Sequence, residues 1–327
     1  MQNSRSDPRW AAHRREVSVA LAIVALAAVL AVAAPGYFAR ENLRDLFLAN
    51  MPVLIVALGM TLVILTGHID VSVGSMFAIC AVAAGLLSKA GVSTSLVVVS
   101  ACLLGAMLGA LNGALVAFVR LPSIVVTLAT MVALRDGLRW ATQGAWVQDL
   151  PREFQWLGLS QAAYPVVVFA IAAAVQVALA WGLRHLAAGR AVYATGSNPD
   201  AARLVGLRTA PVTFAVFAGL GALTGLAALL NSVRFNQIPS NAGLGLEMKV
   251  IAAVVVGGTA ITGGRGNVIG TLLGVVLLAA IGPALTFLGV SAYWERAIQG
   301  AIILTAVAWD ALRERPVHHT AAVAVRG

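Results

Sequence analysis

The chain has 327 residues, of which 60% are hydrophobic and only 11% are charged. A water-soluble domain of this size has no core that could bury so much apolar surface, so the composition excludes that class and predicts a protein embedded in lipid. The net charge of +9 would suggest a nucleic-acid partner for a soluble protein. No basic stripe interleaved with aromatic residues accompanies it, and we expect no nucleic acid among the partners.

Apolar segments recur along the chain and predict an all-α, polytopic integral membrane protein with about ten transmembrane helices. The predicted spans are 17–34, 46–66, 70–88, 94–118, 122–134, 163–183, 211–230, 249–263, 267–290 and 293–309. The 122–134 and 249–263 pieces are shorter than the roughly 20 residues of a perpendicular helix, so we expect them to be tilted, broken or re-entrant. We predict one transmembrane domain over 17–310, between tails at 1–16 and 311–327.

The first span follows a basic leader, for which a cleaved signal peptide is the alternative to a retained helix. Further spans downstream and Pro35 at the position of the cut favour the retained helix. If the N-terminus is cytoplasmic, 13 of the 22 basic residues fall in inside segments, as the positive-inside rule requires. Both termini and the connection at about 184–210 are then cytoplasmic, and the 135–162 connection is periplasmic.

Three tryptophans, Trp140, Trp146 and Trp156, lie in the 135–162 connection. Tryptophan at a membrane boundary is typically an interfacial anchor, and the alternative is a docking surface for an outside partner. In the fourth span, glycines at positions 105, 109 and 113 share one helix face. That face favours close packing inside one subunit, with a dimer seam as the alternative.

The stretch Thr66–Ser75 joins two apolar segments with almost no linker. Asp70 within it would cost a few kcal/mol in hydrocarbon if unpaired, so we expect it at a helix start, in a water-lined cavity or against a donor. One interpretation is that Asp70 caps the next span. The alternative is a role in gating or in proton handling.

The stretch Gly189–Leu207 lies in the second long connection. Asn198 can cap a short helix with Pro199 in its first turn and Asp200 near its positive end, and Gly206 can terminate that helix. A short capped helix at this surface is a feature that a soluble partner can bind. The alternative is an ordinary solvated loop.

The stretch Gly243–Thr271 contains four glycines, at 257, 258, 263 and 264, each of which costs about 1 kcal/mol relative to alanine in a plain helix. They predict irregular or tightly packed backbone, which at membrane depth requires burial in protein or a water-filled cavity. We therefore expect this piece near the conduit. A loose similarity between 67–75 and 257–266 leaves an internal repeat open.

The sequence contains none of the common catalytic or metal-binding patterns: no Gly-x-Ser-x-Gly elbow, no His-Glu-x-x-His pair and no Cys/His cluster. Cys80 and Cys102 lie in apolar runs and are expected to be packing residues. Neither lysine, Lys89 or Lys249, is followed by Ser or Thr, as a phosphate-binding loop requires. We predict no enzymatic activity, no metal and no cofactor.

Together these stretches resemble the permease family of bacterial ABC importers for ribose, xylose, arabinose, rhamnose and autoinducer-2. The resemblance covers about residues 45–310 and lies in Gly59–Ser75, Gly109–Met131, Gly189–Leu207 and Gly243–Thr271. It implies a multi-pass pore subunit of the bacterial inner membrane that pairs with a second permease subunit, the same or a related chain. It also implies a cytoplasmic ATP-binding cassette ATPase and a periplasmic sugar-binding protein as partners.

The resemblance implies further that residues 198–207 form the coupling helix that docks on the ATPase. The matching residues there are Asn198, Asp200, Ala201, Ala202 and Gly206. For the substrate pathway, the candidates are polar groups within or beside spans, each of which could instead be hydrogen-bonded between helices. They are Asp70, Ser72, Asn112, Thr127 and Asn231.

The expected solute is a monosaccharide or similar polyhydroxylated molecule. The pieces Trp140–Pro151 and Pro239–Lys249 look closest to the autoinducer-2 and rhamnose branch, which favours those solutes over ribose. His68 departs from the Gly or Asn that is common in the family, which puts the fine assignment in doubt. Two rivals remain: a proton-coupled secondary transporter that uses Asp70, and a membrane scaffold or sensor that transports nothing.

Overall fold

The computed structural model describes residues 8–291 and 293–313, and over that part of the chain the regular structure is helical. Its α-helices are α1 (Pro8–Ala33), α2 (Arg40–Leu65), α3 (Val73–Lys89), α4 (Thr94–Ala117), α5 (Ser123–Thr142), α6 (Tyr164–His185), α7 (Ala187–Ser197), α8 (Pro199–Leu204), α9 (Thr209–Ser232), α10 (Leu246–Val256), α11 (Val268–Phe287) and α12 (Trp294–Arg313). Short 3-10 turns occupy Pro35–Phe38 and Gln155–Gly158. The all-α prediction is confirmed.

Each of the ten predicted apolar segments overlaps one helix, namely α1 to α6 and α9 to α12. Within the described residues, six stretches are long and apolar enough to cross a membrane. They are Glu16–Ala33 of α1 and the helices α2, α4, α6, α9 and α11. The helix α3 is apolar but shorter, and the total of about ten spans stays a prediction.

Several boundaries differ from the prediction. The helix α5 continues to Thr142, well past the predicted end at 134, because the charges from Arg135 onward lower the hydropathy without breaking the helix. The helix α10 ends at Val256, where the glycines begin, although the predicted span ran to 263. The helix α1 already starts at Pro8, inside the predicted tail. Residues 1–7 of the predicted N-terminal tail and residues 314–327 of the predicted C-terminal tail lie outside the described residues.

The connections between helices define two ends of the bundle. At one end, which we call the α8 end, the backbone N–H of Gly264 donates to the carbonyl of Leu65 at 2.9 Å, so the α10–α11 connection contacts the end of α2. At the opposite end, which we call the far end, Lys89 Nζ donates to the carbonyl of Gln148 at 2.9 Å. An isolated antiparallel β-bridge there joins Val147 to Ile238.

The core is built around α2 and the pair of helices α4 and α9. Ile55 to Leu58 in α2 are fully buried. A Cβ built on Gly105 or Gly109 of α4 would overlap backbone oxygens of α9, so the two helices touch main chain to main chain. The glycine face of α4 therefore packs inside the subunit, as its spacing predicted, and does not form a dimer seam.

Candidate functional site

Asp70, Ser72 and Asn112 form one hydrogen-bonded cluster in which all three side chains are fully buried. Asp70 Oδ1 accepts from the backbone N–H of Ser72 at 2.8 Å and from its hydroxyl at 2.6 Å. Asn112 Nδ2 donates to Asp70 Oδ2 at 3.2 Å and to Ser72 Oγ at 2.8 Å. The acid in the connection between α2 and α3 is thus held by three donors and bonded between helices, an alternative that the sequence left open.

The same carboxylate stands at the start of α3, since Ser72 immediately precedes its first residue, Val73. Asp70 bonds the N–H of the N-cap residue Ser72 and not a free N–H group inside α3, and no side-chain cap hydrogen bond is present on this helix, so the capping interpretation is not confirmed. Thr127, a fourth pathway candidate, lies beside this cluster: its hydroxyl donates to the carbonyl of Ser123 at 2.9 Å and reaches that of Ile69 at 3.5 Å. Four of the five candidates are therefore brought together.

The fifth candidate, Asn231, lies elsewhere, on the wall of a cavity of about 820 Å³. The cavity lies between α2, α9, α10 and α12, in the half of the bundle toward the far end. None of the other four candidates lines it. Its charged and amide lining residues are Asn231, Glu247, Lys249, Glu295, Arg296 and Gln299.

Most of these polar lining residues were missed from the sequence. Glu247 and Lys249 fall in the first turn of α10, just where the apolar run was predicted to begin, and Glu295 and Arg296 fall in the first turn of α12. The available signal was a pair of opposite charges at the start of an apolar helix. The two charges are two residues apart in α10 and adjacent in α12. Arg135, which ends the apolar run within α5 and donates to Ser75 Oγ at 3.2 Å, carried a similar signal.

The predicted short helix at the other end of the bundle is α8, and it is capped as expected. Asn198 Oδ1 accepts from the backbone N–H groups of Asp200 and Ala201 at 3.1 and 2.9 Å. Ala202 is buried, whereas Leu204 and Val205 are 89% and 84% exposed. The helix therefore presents two apolar side chains at the surface, which the sequence analysis had not singled out.

The segment before α8 is anchored to the rest of the bundle. Within the connection expected at about 184–210, residues Ala187–Ser197 form the helix α7, which was not predicted. The phenol of Tyr193 donates to the carbonyl of Gly266 at 2.8 Å, and burial raises the pKa of that phenol, so it stays a donor at neutral pH. A Cβ built on Gly196 would overlap the Leu65 carbonyl oxygen. The helix α7 thus lies directly on the glycine-rich turn between α10 and α11.

An apolar helical bundle with a polar cavity in one half and a short capped helix at one end fits a multi-pass membrane protein of the transporter class. The chain belongs to the family described as branched-chain amino acid transport system / permease component, whose model matches residues 42–307. This is a family of ABC importer permeases. The resemblance noted from the sequence is confirmed.

Curated relatives agree with that assignment. An autoinducer 2 import system permease protein LsrC from Photorhabdus laumondii is 36% identical over 91% of this chain and 90% of its own length. Proteins of the same name from Yersinia pseudotuberculosis and Escherichia coli are also 36% identical over 91% of this chain, with 85% and 87% of their own lengths covered. No solved structure gives a significant match.

Proposed function

We propose that this chain is the membrane subunit through which a bacterial ABC importer moves autoinducer-2 or a similar polyhydroxylated solute, such as rhamnose, across the inner membrane. The observation that carries the proposal is the similarity, over nine-tenths of the chain, to proteins named as autoinducer 2 import permeases. An ABC permease works with an ATPase and a binding protein, so the chain itself has no catalytic task. A second copy of this chain or a related permease would complete the pore.

The proposal is tested by co-purifying the detergent-solubilised chain with the ATPase, the binding protein and any second permease encoded beside it. The complex is then placed in lipid, and ATP hydrolysis is measured with autoinducer-2, L-rhamnose and D-ribose. We expect hydrolysis to rise with autoinducer-2 or rhamnose. Stable association without any stimulation or uptake would favour the scaffold or sensor, and absence of association would contradict the proposal.

The helix α8 is the proposed contact with the ATPase. Its support is the capped geometry together with the exposed apolar side chains of Leu204 and Val205. Asp200 and Arg203 form an exposed ion pair at 2.9 Å, which contributes little to stability on its own. Charge reversal at Asp200 should therefore disturb the partner contact more than it disturbs the fold.

Leu204→Glu is expected to weaken association with the ATPase roughly tenfold or more, because an apolar side chain buried at an interface centre is worth about 2 kcal/mol. Asp200→Arg and Gly206→Pro should act in the same direction, the latter because proline cannot adopt the φ of 86° found at this position. Association is measured by co-purification from membranes, with insertion of the chain verified first.

The matched control is Arg152→Glu, a charge reversal of the same size as Asp200→Arg at an exposed position of the far end. It should leave association with the ATPase unchanged. If Leu204→Glu and Asp200→Arg co-purify with the ATPase as well as this control does, α8 is not the coupling helix.

The orientation is part of the same proposal: the α8 end faces the cytoplasm, and the far end faces the periplasm. Reporters fused after Leu207 should then be active in the cytoplasm, and reporters inserted near Gln148 should be active in the periplasm. The opposite pattern would place α8 out of reach of an ATPase and would contradict both the orientation and the coupling proposal.

A further inference from the structure

The wall of the 820 Å³ cavity is formed in part by backbone that enters the bundle without forming a helix. At the far end, the side chain of Ile238 lies beside Gly85 of α3, whereas Gly243 lies beside Gly74, eleven residues lower on the same helix. Between Ile238 and Gly243 the chain therefore moves about 16 Å along the axis of α3, since each of the eleven α3 residues contributes a rise of 1.5 Å. Non-helical backbone at such depth is tolerated only inside protein or along a water-filled space. Gly243 and Gly245 line the cavity. We therefore infer that the cavity contains water.

The charges on the cavity wall are balanced. Two acids, Glu247 and Glu295, are accompanied by two bases, Lys249 and Arg296. Lys249 Nζ lies 3.9 Å from Glu295 Oε1, and the amide of Gln299 donates to the same oxygen at 3.0 Å. A site with two acids and two bases, and therefore no net charge, suits a neutral molecule that has many hydroxyl groups. A free anion or cation would find no excess of opposite charge here.

Glu247 is the least satisfied of these polar groups. Its side chain is only 8% exposed, and its Oε2 is buried without a hydrogen-bond partner. The two terminal nitrogens of Arg135 are buried and unpartnered as well. Both groups meet at Gly74: a Cβ built there would overlap Glu247 Oε2 and would lie 3.1 Å from Arg135 Nη2. Glu247 Oε2 and the Arg135 nitrogens are thus enclosed in the protein, close to each other and with opposite charges. Because Glu247 also lines the cavity, a molecule in the cavity can reach its carboxylate only at the other oxygen, Oε1.

The size and apolar lining of the cavity are consistent with a small solute. Its volume lies within the range of roughly 300–1,000 Å³ that ligand pockets occupy. Pro52, Val53 and Phe77 add apolar surface to the cavity wall. The combination of an apolar face with a few convergent polar groups is typical of a binding site.

We propose that this cavity is a solute-binding site of the permease itself, that its ligand class is a neutral polyhydroxylated molecule, and that Glu247 accepts a hydrogen bond from a ligand hydroxyl. The inference deepens the proposed function and rests on it. It also separates the solute site from the Asp70 cluster, which is buried away from the cavity.

The first test is protection of a cavity residue in the assembled complex. In a background in which Cys80 and Cys102, the two native cysteines, are replaced by alanine, Asn231→Cys is labelled with a membrane-impermeant thiol reagent. Autoinducer-2 is the probe, with L-leucine as the zwitterionic alternative, and the binding protein is omitted. At tenfold excess over its dissociation constant, autoinducer-2 should slow labelling roughly tenfold. Gln148→Cys, at an exposed position outside the cavity, should be labelled equally with and without the solute.

The second test is Glu247→Gln in the complete complex, which keeps the size of the side chain and removes its charge. ATP-driven uptake of autoinducer-2 should show a KM roughly tenfold higher, because a charge-assisted hydrogen bond is lost. Asp136→Asn, an exposed acid on α5, is the control and should transport like the parent.

The outcomes separate the site from the function. If the parent complex takes up autoinducer-2 while the Asn231→Cys variant is not protected and Glu247→Gln keeps the parental KM, the site proposal fails and the permease function stands. Protection by L-leucine but not by autoinducer-2 would also overturn the ligand class. If the parent complex moves none of the sugars, both proposals fail together.

Discussion

Gly221→Ala in α9 is expected to destabilise the protein by about 3 kcal/mol, the upper end of the cost of overpacking a core. A Cβ at this position would overlap the backbone carbonyl oxygen of Gly105 in α4, and a backbone oxygen cannot move aside as a flexible side chain can. The expected result is a lower midpoint of thermal unfolding in detergent, followed through the seven tryptophans, and a smaller yield of assembled complex.

Gly219→Ala, two residues earlier in the same helix, is the matched control. A Cβ at Gly219 would meet nothing within 4 Å, and alanine is the better helix former by about 1 kcal/mol. The control should be neutral or slightly stabilising. If both variants unfold at the same temperature, the close contact between α4 and α9 does not determine the stability of the bundle.

The second large effect is expected for Asp70→Ala. The change removes the acceptor of three hydrogen bonds inside a fully buried cluster, and each buried donor left without a partner costs about 1–3 kcal/mol. The unfolding midpoint should fall clearly, and ATP-driven uptake should fall with the amount of folded complex. Both are measured on the same reconstituted preparations.

Asp70→Asn separates this structural role from proton transport. Asparagine keeps the size and one acceptor oxygen, so ATP-driven uptake by the complex should stay close to that of the parent. A proton-coupled carrier would behave differently: the chain alone would take up solute under a pH gradient, and Asp70→Asn would abolish that uptake. Such a result would overturn the importer proposal, whereas retained ATP-driven uptake would exclude Asp70 as an obligatory proton site.

The ten helices that overlap predicted spans, α1 to α6 and α9 to α12, were largely predictable because each contains an apolar run. Lipid requires such runs to be helical. The cap at Asn198 was predictable because its side chain bonds locally, two and three residues further along the chain. The ends of α5 and α10 were not predictable. For α5, hydropathy shows where charged residues begin, and a helix can continue past them. For α10, the free-energy cost of glycine in a helix does not show at which residue the helix ends. The helix α7 was missed because its composition resembles that of a solvated loop.

The sites were less predictable because they depend on which helices meet. Asp70 and Asn112 are 42 residues apart, and their bond exists only because α4 packs beside the α2–α3 connection. Asn231 lines the cavity together with residues of α10 and α12, and no local sequence pattern predicts that these residues lie close together. A charged residue beside an apolar run was the one usable signal, and it would have identified Glu247, Glu295 and Arg135.

The helix α10 has only eleven residues, about 16 Å of length at 1.5 Å per residue. Its C-terminal end runs into the glycine turn, where Gly264 lies against Ser197, the residue before the cap of α8. Its N-terminal end carries Glu247 and Lys249 on the cavity wall. One short helix therefore connects the proposed ATPase contact to the proposed solute site. A displacement of α8 would reach the cavity through fewer than four helical turns.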